Sequence, residues 1–396
     1  MSLTILKMKN DKKVKPFAFA LLFLTMLRCV IPSISDVVVI QQSEFYVNSL
    51  LIVVGTLSCL FVVNEKNQKW LFVYFSLIFV WIVLSNILAG HDFAKSVIQF
   101  SKYIVPILIT VNLIEMSKRM PLVRDGVVLI FVICTLVFIL PLVFRERYFH
   151  GGIERLPLYY GTLHDNGFIA ATVSLFSLIL MYTMRHKLLG FIIFMFSIYL
   201  MMGYLVRTSM VMFTIVVLGV VFFKVPDRLR QLIFIETIVV CGVILILFLF
   251  FTDNSDEFIS SLSSGRTRMW LDQINRLISS SFLEVIFGFG SNGDIIHSSV
   301  WLQKPKDAHS TLLGLLVQYG IVGFCLFVSL FIKISDYFSK VVDRVEGRCL
   351  YAGFISTLVI SNGLLERVVP CLLYFLLFLL VQPKFHDLKR LNIPFR

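Results

Sequence analysis

His309 stands at the end of a polar stretch, Lys306-Asp307-Ala308-His309-Ser310, directly before a long apolar run. An imidazole at such a junction titrates close to neutral pH and is suited to proton transfer; a structural histidine is the plain alternative. Asp307 and Ser310 beside it suggest a hydrolytic triad. Neighbours entering a helix are not expected to reach one another in relay geometry, so Asp307 or Ser310 is read as the helix cap. Arg207, in Tyr204-Leu205-Val206-Arg207-Thr208-Ser209, separates two apolar runs with hardly more than a turn between them. A cation at that position either snorkels to the interface or meets an anion. Arg155, Tyr159, Tyr160, His164, Asp165 and Asn166 share one polar loop, and Arg266 and Trp270 open a helical stretch in another. Guanidinium forks hold phosphate or carboxylate oxygens in pairs, and aromatic rings stack on sugars. For Asp165 and Asn166, capping of the next helix is an equal reading, and Arg145 and Arg147 sit where contact with headgroups is ordinary.

The elements that must position these groups are membrane helices. The chain has 396 residues, 58% hydrophobic and 15% charged, with a mean hydropathy of +0.88; soluble chains are about 45–50% apolar and about 25% charged. A spanning helix needs about 20 apolar residues. Twelve runs qualify, near 16–34, 46–63, 70–89, 96–114, 126–144, 167–184, 188–206, 209–224, 232–251, 311–333, 349–365 and 368–383. The fold expected is an all-α polytopic membrane protein with about 12 transmembrane helices, treated as a single integral domain over 1–396. Lys7, Lys9, Lys12, Lys13 and Lys15 precede the first run, which is longer than a signal-peptide core and is expected to stay as an anchor.

With the N-terminus inside, 23 Lys and Arg fall on the cytoplasmic side and 11 on the outer side. That asymmetry puts both termini in the cytoplasm. It also disposes of the net charge of +12 as a sign of nucleic-acid binding. The outer set holds 3 Lys and 8 Arg, whereas the cytoplasmic set holds 14 Lys and 9 Arg. Topology needs only positive charge, so the outer arginines point to bidentate anion contacts; chance on small counts is the competing account. Seven cysteines lie in or beside apolar runs with no CxxC pair, which argues against a disulfide framework and a thiolate metal site.

Two outer loops are long, 145–166 and 252–310, the second lying between the ninth and tenth spans. Within it Trp270, Ile274, Leu277 and Ile278 recur at helical spacing, opposite Arg268, Asp272 and Asn275. This predicts an amphipathic helix at the membrane surface, with Arg266 on the side of Trp270 and with Arg268 and Arg276 solvated or at headgroups. Gly288, Gly290 and Gly293 spell the dinucleotide fingerprint, but without a strand and a βαβ unit around them the glycines imply only a tight turn.

His309-Ser310, nine residues, then Gly320-Ile321-Val322-Gly323 resembles the histidine motif of bacterial O-antigen ligases, shared in looser form by O-antigen polymerases. Gly265-Arg266, Trp270 and Phe287-Gly288-Phe289-Gly290 resemble the GR…W…GxG run of that superfamily. Leu205-Val206-Arg207-Thr208-Ser209 is similar to its SRT-like junction, with Val206 in place of the usual serine. The motifs cover about 155–323; the flanking helices match in number and hydropathy only.

The resemblance implies an inverting, metal-independent glycosyltransferase without a cofactor, in the bacterial inner membrane with its site facing the periplasm. Its partners would be an undecaprenyl-diphosphate-linked glycan, membrane lipids and, in some systems, a chain-length regulator. On that footing His309 is expected to activate the acceptor hydroxyl. Arg207, Arg266 and Arg155 are expected to hold diphosphate or phosphate, and Tyr159, Tyr160 and Trp270 to line the glycan path. The histidine motif leans toward a ligase that attaches glycan to the lipid A core, the GR…W…GxG run toward a polymerase of repeat units, which is preferred. A twelve-span transporter is a more distant reading, since no repeat relates the two halves and the charges inside spans are few, namely Arg28, Lys102 and Glu236.

Overall fold

The structure is a computed structural model that describes residues 2–34, 38–61, 69–150, 153–158, 161–182, 186–224, 266–297, 305–342, 344–360 and 363–382. The expected span at 232–251 with Glu236, and also Tyr159, Tyr160, Gly265 and Trp301, lie outside the described residues. The helices are α1 (Ser2–Ile34), α2 (Val38–Phe61), α3 (Lys69–Leu88), α4 (Phe93–Ser117), α5 (Leu122–Val137), α6 (Ile139–Phe144), α7 (Leu163–Tyr182), α8 (Lys187–Tyr204) and α9 (Arg207–Lys224). They continue with α10 (Arg266–Ile278), α11 (Phe282–Phe287), α12 (Thr311–Val341), α13 (Arg344–Ile360) and α14 (Val368–Leu380), with a 3-10 turn at Leu364–Glu366. One hairpin, β1 (Tyr148–His150) with β2 (Ile153–Arg155), pairs Tyr148 with Arg155. Among the described residues eight stretches are long and apolar enough to cross a membrane, so the chain is a polytopic, all-α membrane protein.

Three expected spans, 209–224, 349–365 and 368–383, lie at helices of 18, 17 and 13 residues, under the about 20 residues of a full crossing. The clearest is α14, whose 13 residues reach about 20 Å, less than the hydrocarbon thickness of about 30 Å. Its sequence is apolar all round, and every one of its residues is buried. A helix without a polar face belongs inside the bundle, and α14 packs on α4 and α7. The irregular chain before it then needs partners for its peptide groups. Gly363 N donates to Thr311 Oγ1 at 2.6 Å and Leu364 N to Thr357 Oγ1 at 3.3 Å.

Side-chain bonds fix which helix ends lie together. At one end Ser117 of α4 meets Gln382 at 2.9 Å, Arg124 of α5 donates to the Leu380 carbonyl, and Tyr337 of α12 donates to Glu115 at 2.6 Å. At the other end are the starts of α7, α12 and α14. Within the spans, Arg28 is almost wholly buried and pairs with Glu44 at 3.1 Å and Asn48 at 2.9 Å, a structural bond between α1 and α2.

The glycine motif is a turn, as expected, and also one half of a backbone lock. Helix α12 breaks at Gly320, where φ is +65°. The carbonyls of Val317 and Gln318 accept from Phe289 N at 2.9 Å and Gly290 N at 2.8 Å. Gly288 and Gly290 also have positive φ, and a Cβ on Gly288 or Gly320 would overlap the facing backbone. Only glycine combines that conformation with that approach. Helix α3 closes the lock. Ser85 Oγ donates to the Phe287 carbonyl at 2.6 Å, Trp81 Nε1 to the Tyr319 carbonyl at 2.8 Å, and Ser291 N donates to Asn86 Oδ1 at 2.7 Å.

Helix α10 is amphipathic, and it turns to the protein a face other than its apolar stripe. Met269 and Gln273 are its buried residues, while Leu271, Ile274 and Ile278 are exposed. Gln273 donates to the Asp294 carbonyl. Arg276, expected at solvent or headgroups, donates to the Gly293 carbonyl at 2.6 Å and lies 3.9 Å over the Phe289 ring. The polar groups of this face bond the carbonyls of the loop beneath it.

Candidate functional site

His309 sits at the start of α12 in the left-handed region, φ +46°, a conformation that costs a non-glycine residue about 1–3 kcal/mol. Both neighbours hold it there. Ala308 N donates to Asp294 Oδ2 at 3.1 Å, and the Ala308 carbonyl accepts from Trp270 Nε1 at 2.8 Å. Ser310 caps α12, its hydroxyl accepting from Leu313 N, and it also donates to the Leu358 carbonyl at 3.5 Å. The cap is as expected. The rejected contact is not, because His309 Nδ1 lies 3.1 Å from Asp307 Oδ1. The left-handed residue turns the ring back toward Asp307, which a helical continuation would prevent. Ser310 is bound elsewhere, so the pair is a dyad and not a hydrolytic triad.

A proton on Nδ1, facing Asp307, leaves Nε2 as the acceptor. The imidazole is only partly exposed, at 28%. Burial lowers its pKa below 6.5; the Asp307 charge opposes this, and Arg266, Lys306 and Arg367 add to the lowering. His309 is therefore neutral at pH 7 and able to accept a proton.

Cations from separate elements surround it. Arg266, the first residue of α10, has a lowered pKa because it is buried and because Arg207 repels it, with Asp307 opposing. Arg207, the first residue of α9, is exposed, and among the described residues no side chain or carbonyl holds its guanidinium. Two like charges this close favour an anion between them. The Arg207 turn is made by Leu205, which ends α8 in the left-handed conformation. The departure at Val206 has a packing reason: its side chain fills the space over Gly167 of α7, where a Cβ would collide with it.

Two further groups were not singled out from the sequence. Arg367, before α14, donates to Asp165 Oδ1 at 2.7 Å and to Thr162 Oγ1 at 2.8 Å, and its Nε is buried without a partner. Asp165 is thus both an ion-pair partner and half of a capping box, since its Oδ2 accepts from Thr162 N at 2.8 Å. Glu366 is the second, hydrogen-bonded to Thr311. Burial, then the charges of Asp294 and Asp307, push it up to about 7, with Arg367 and the Thr311 bond opposing. His164, at the start of α7, lies within electrostatic reach of Arg367, Arg266 and His309, and its Nδ1 is buried without a partner.

The remaining expected residues stand differently. Arg155 lies beside the Arg207 turn, but its Nη1 donates to the Tyr204 carbonyl at 2.8 Å, joining β2 to the end of α8. Trp270 uses its indole N–H on the loop that carries His309, so it positions the imidazole. Arg147 pairs with Glu154 at 2.9 Å and Arg145 donates to the Leu158 carbonyl at 2.8 Å. Among the described residues no group of three or more His, Cys, Asp or Glu side chains is arranged to hold a metal ion. A scan against protein-family models and a search of the curated proteins gave no match to this chain.

Proposed function

We propose that the protein is a glycosyltransferase that polymerises undecaprenyl-diphosphate-linked oligosaccharide repeat units into a surface polysaccharide. One observation carries this reading: a neutral imidazole braced by a carboxylate, Asp307–His309, stands among arginines brought by α9, α10 and the start of α14. The acceptor hydroxyl gives its proton to His309 Nε2 while its oxygen bonds to the anomeric carbon on the face opposite the diphosphate. The bond to the diphosphate oxygen breaks, and the electron pair leaves with it. Arg207 and Arg266 meet that growing negative charge, which is where preorganised cations contribute most to rate. Arg367 is a third cation within electrostatic reach of His309.

In this reading the chain crosses the bacterial inner membrane about 12 times with both termini in the cytoplasm, and the His309 end of the bundle faces the periplasm. The positive-inside count supports that orientation. A ligase that passes the glycan to the lipid A core would use the same donor and the same dyad, and the central place of His309 favours it to that extent.

The test is reconstitution of the purified protein with a lipid-linked repeat unit. Longer glycans together with released undecaprenyl diphosphate support polymerisation; transfer only when lipid A core is added supports the ligase; no turnover with either overturns both. In cells, a strain lacking a polymerase makes core with one repeat unit, whereas one lacking a ligase keeps polymer on the lipid carrier and leaves bare core.

A further inference from the structure

We infer that residues 282–290 form a re-entrant limb whose free face is covered by lipid acyl chains in the leaflet at the His309 end. The bound face sets the depth of the limb. Phe287 stacks on Trp81, ring centroids 4.7 Å apart and planes within 8°. Trp81 lies seven residues before the end of α3 at Leu88, about 10 Å at about 1.5 Å per residue. The carbonyls that receive Phe289 N and Gly290 N belong to Val317 and Gln318, six and seven residues into α12, again about 10 Å. Residues 287–290 therefore sit inside the end of the bundle and not above it.

Non-helical backbone at membrane depth must have its peptide groups bonded by protein. The limb meets that requirement for its N–H groups from 288 to 291. Gly288 N donates to Glu284 O at 2.8 Å, Phe289 N and Gly290 N reach α12, Ser291 N reaches Asn86, and the Phe287 carbonyl accepts from Ser85.

The free face is apolar. Ile278, Phe282 and Leu283 are 75%, 77% and 59% exposed. The two helices that grip the limb expose Leu84, Ile87 and Ile321 near the same end, so the surface continues that of the lipid-facing bundle. From 277 to 290 the only charged side chain is Glu284. It belongs to the Ser281 capping box, so its charge is tied to the backbone at the start of α11. A face with one charge at its rim matches acyl chains better than a polar protein surface. This inference needs the chain to lie in a membrane but does not depend on the chemistry at His309.

Nitroxide labels on single cysteines at positions 278, 282 and 283 test it, with 268 and 292 as controls, in a cysteine-free chain reconstituted into phosphatidylcholine–phosphatidylglycerol vesicles. Labels at 282 and 283 should collide several-fold more with oxygen than with a water-soluble nickel chelate, and the controls should do the reverse. Nickel collisions at 282 and 283 equal to those at 292 would place the limb in water and overturn the inference. Low collision with both reagents would mean a protein partner or a second copy covers the face, which also overturns it. Leu283→Trp in the otherwise unaltered chain gives an independent reading: its added fluorescence should be quenched by lipids brominated on the acyl chain and spared by aqueous iodide, and the opposite pattern counts against lipid cover.

Discussion

Helix α12 carries two backbone departures, at His309 just before its first turn and at Gly320 within it, and they are solved in opposite ways. At Gly320 the positive φ falls on a glycine and the freed carbonyls are taken up by the limb and by α3. At His309 the positive φ falls on an imidazole, with an unheld arginine and buried unpaired nitrogens of His164 and Arg367 around it. One region is built for stability and bonds the carbonyls that its break frees. The other tolerates strain and unmet polar groups, as binding sites do before the ligand arrives.

Replacing one residue at a time should keep the two behaviours apart. The largest effect belongs to His309→Ala. Transfer should fall by about 10²–10⁴-fold, the usual contribution of a general base, while thermal unfolding in detergent stays unchanged or improves. Substantial polymer made by that variant would break the comparison. Gly320→Ala should do the reverse. The new Cβ meets the Ile286 carbonyl, adding about 1–3 kcal/mol of clash to about 1–3 kcal/mol of strain. A clearly lowered unfolding temperature is expected, and an unshifted one would mean the lock is not structural.

Arg207→Lys keeps the charge and loses the fork. A charge-assisted bond is worth about 1.5–3 kcal/mol, so a loss of about 10–100-fold in turnover is expected with no loss of stability. Asp307→Asn sharpens the site side by pH. His309 acts when neutral and its pKa lies below 6.5, so the rate should rise with pH through a value below 6.5. Without the Asp307 charge, which holds that pKa up, the acid limb should move lower and the plateau should drop; an unmoved limb would show that the carboxylate does not act on the imidazole. Glu366→Gln gives the smallest change. Its carboxyl is raised from 4.5 to about 7, so its contribution to stability is fully present below about 4.5 and is lost as pH climbs through 7. The glutamine variant should unfold at a temperature that depends less on pH between about 5 and 8 than the parent does.

Hydropathy revealed the bundle because the bilayer imposes length and apolarity on every crossing, and α14 shows where that logic stops. A helix surrounded by protein is as apolar as one surrounded by lipid, and its short length is set by neighbours that a hydropathy profile does not contain. His309 and Arg207 stood out because each is at a helix start next to an apolar run, and Arg266 by its spacing from Trp270; Arg266 has both of the others within electrostatic reach. Arg367 and Glu366 did not, since their partners Asp165 and Thr311 lie far away in the chain. The Asp307 contact was misjudged for a conformational reason: periodicity assumes right-handed backbone, and a single left-handed residue reverses which neighbours meet. The same limit applies to α10, where spacing gave the apolar stripe but not which stripe the protein would take.

Chain order gives the break at Gly320 a meaning for biogenesis. The ribosome releases Trp81, Ser85 and Asn86 first, then Gly288 to Ser291, and only afterwards Val317 and Gln318. Until α12 has left the translocon, the peptide N–H groups of Phe289 and Gly290 have no native acceptor. The same insertion event delivers that acceptor and forms the Ser310 cap beside His309, so the lock and the start of α12 are completed together.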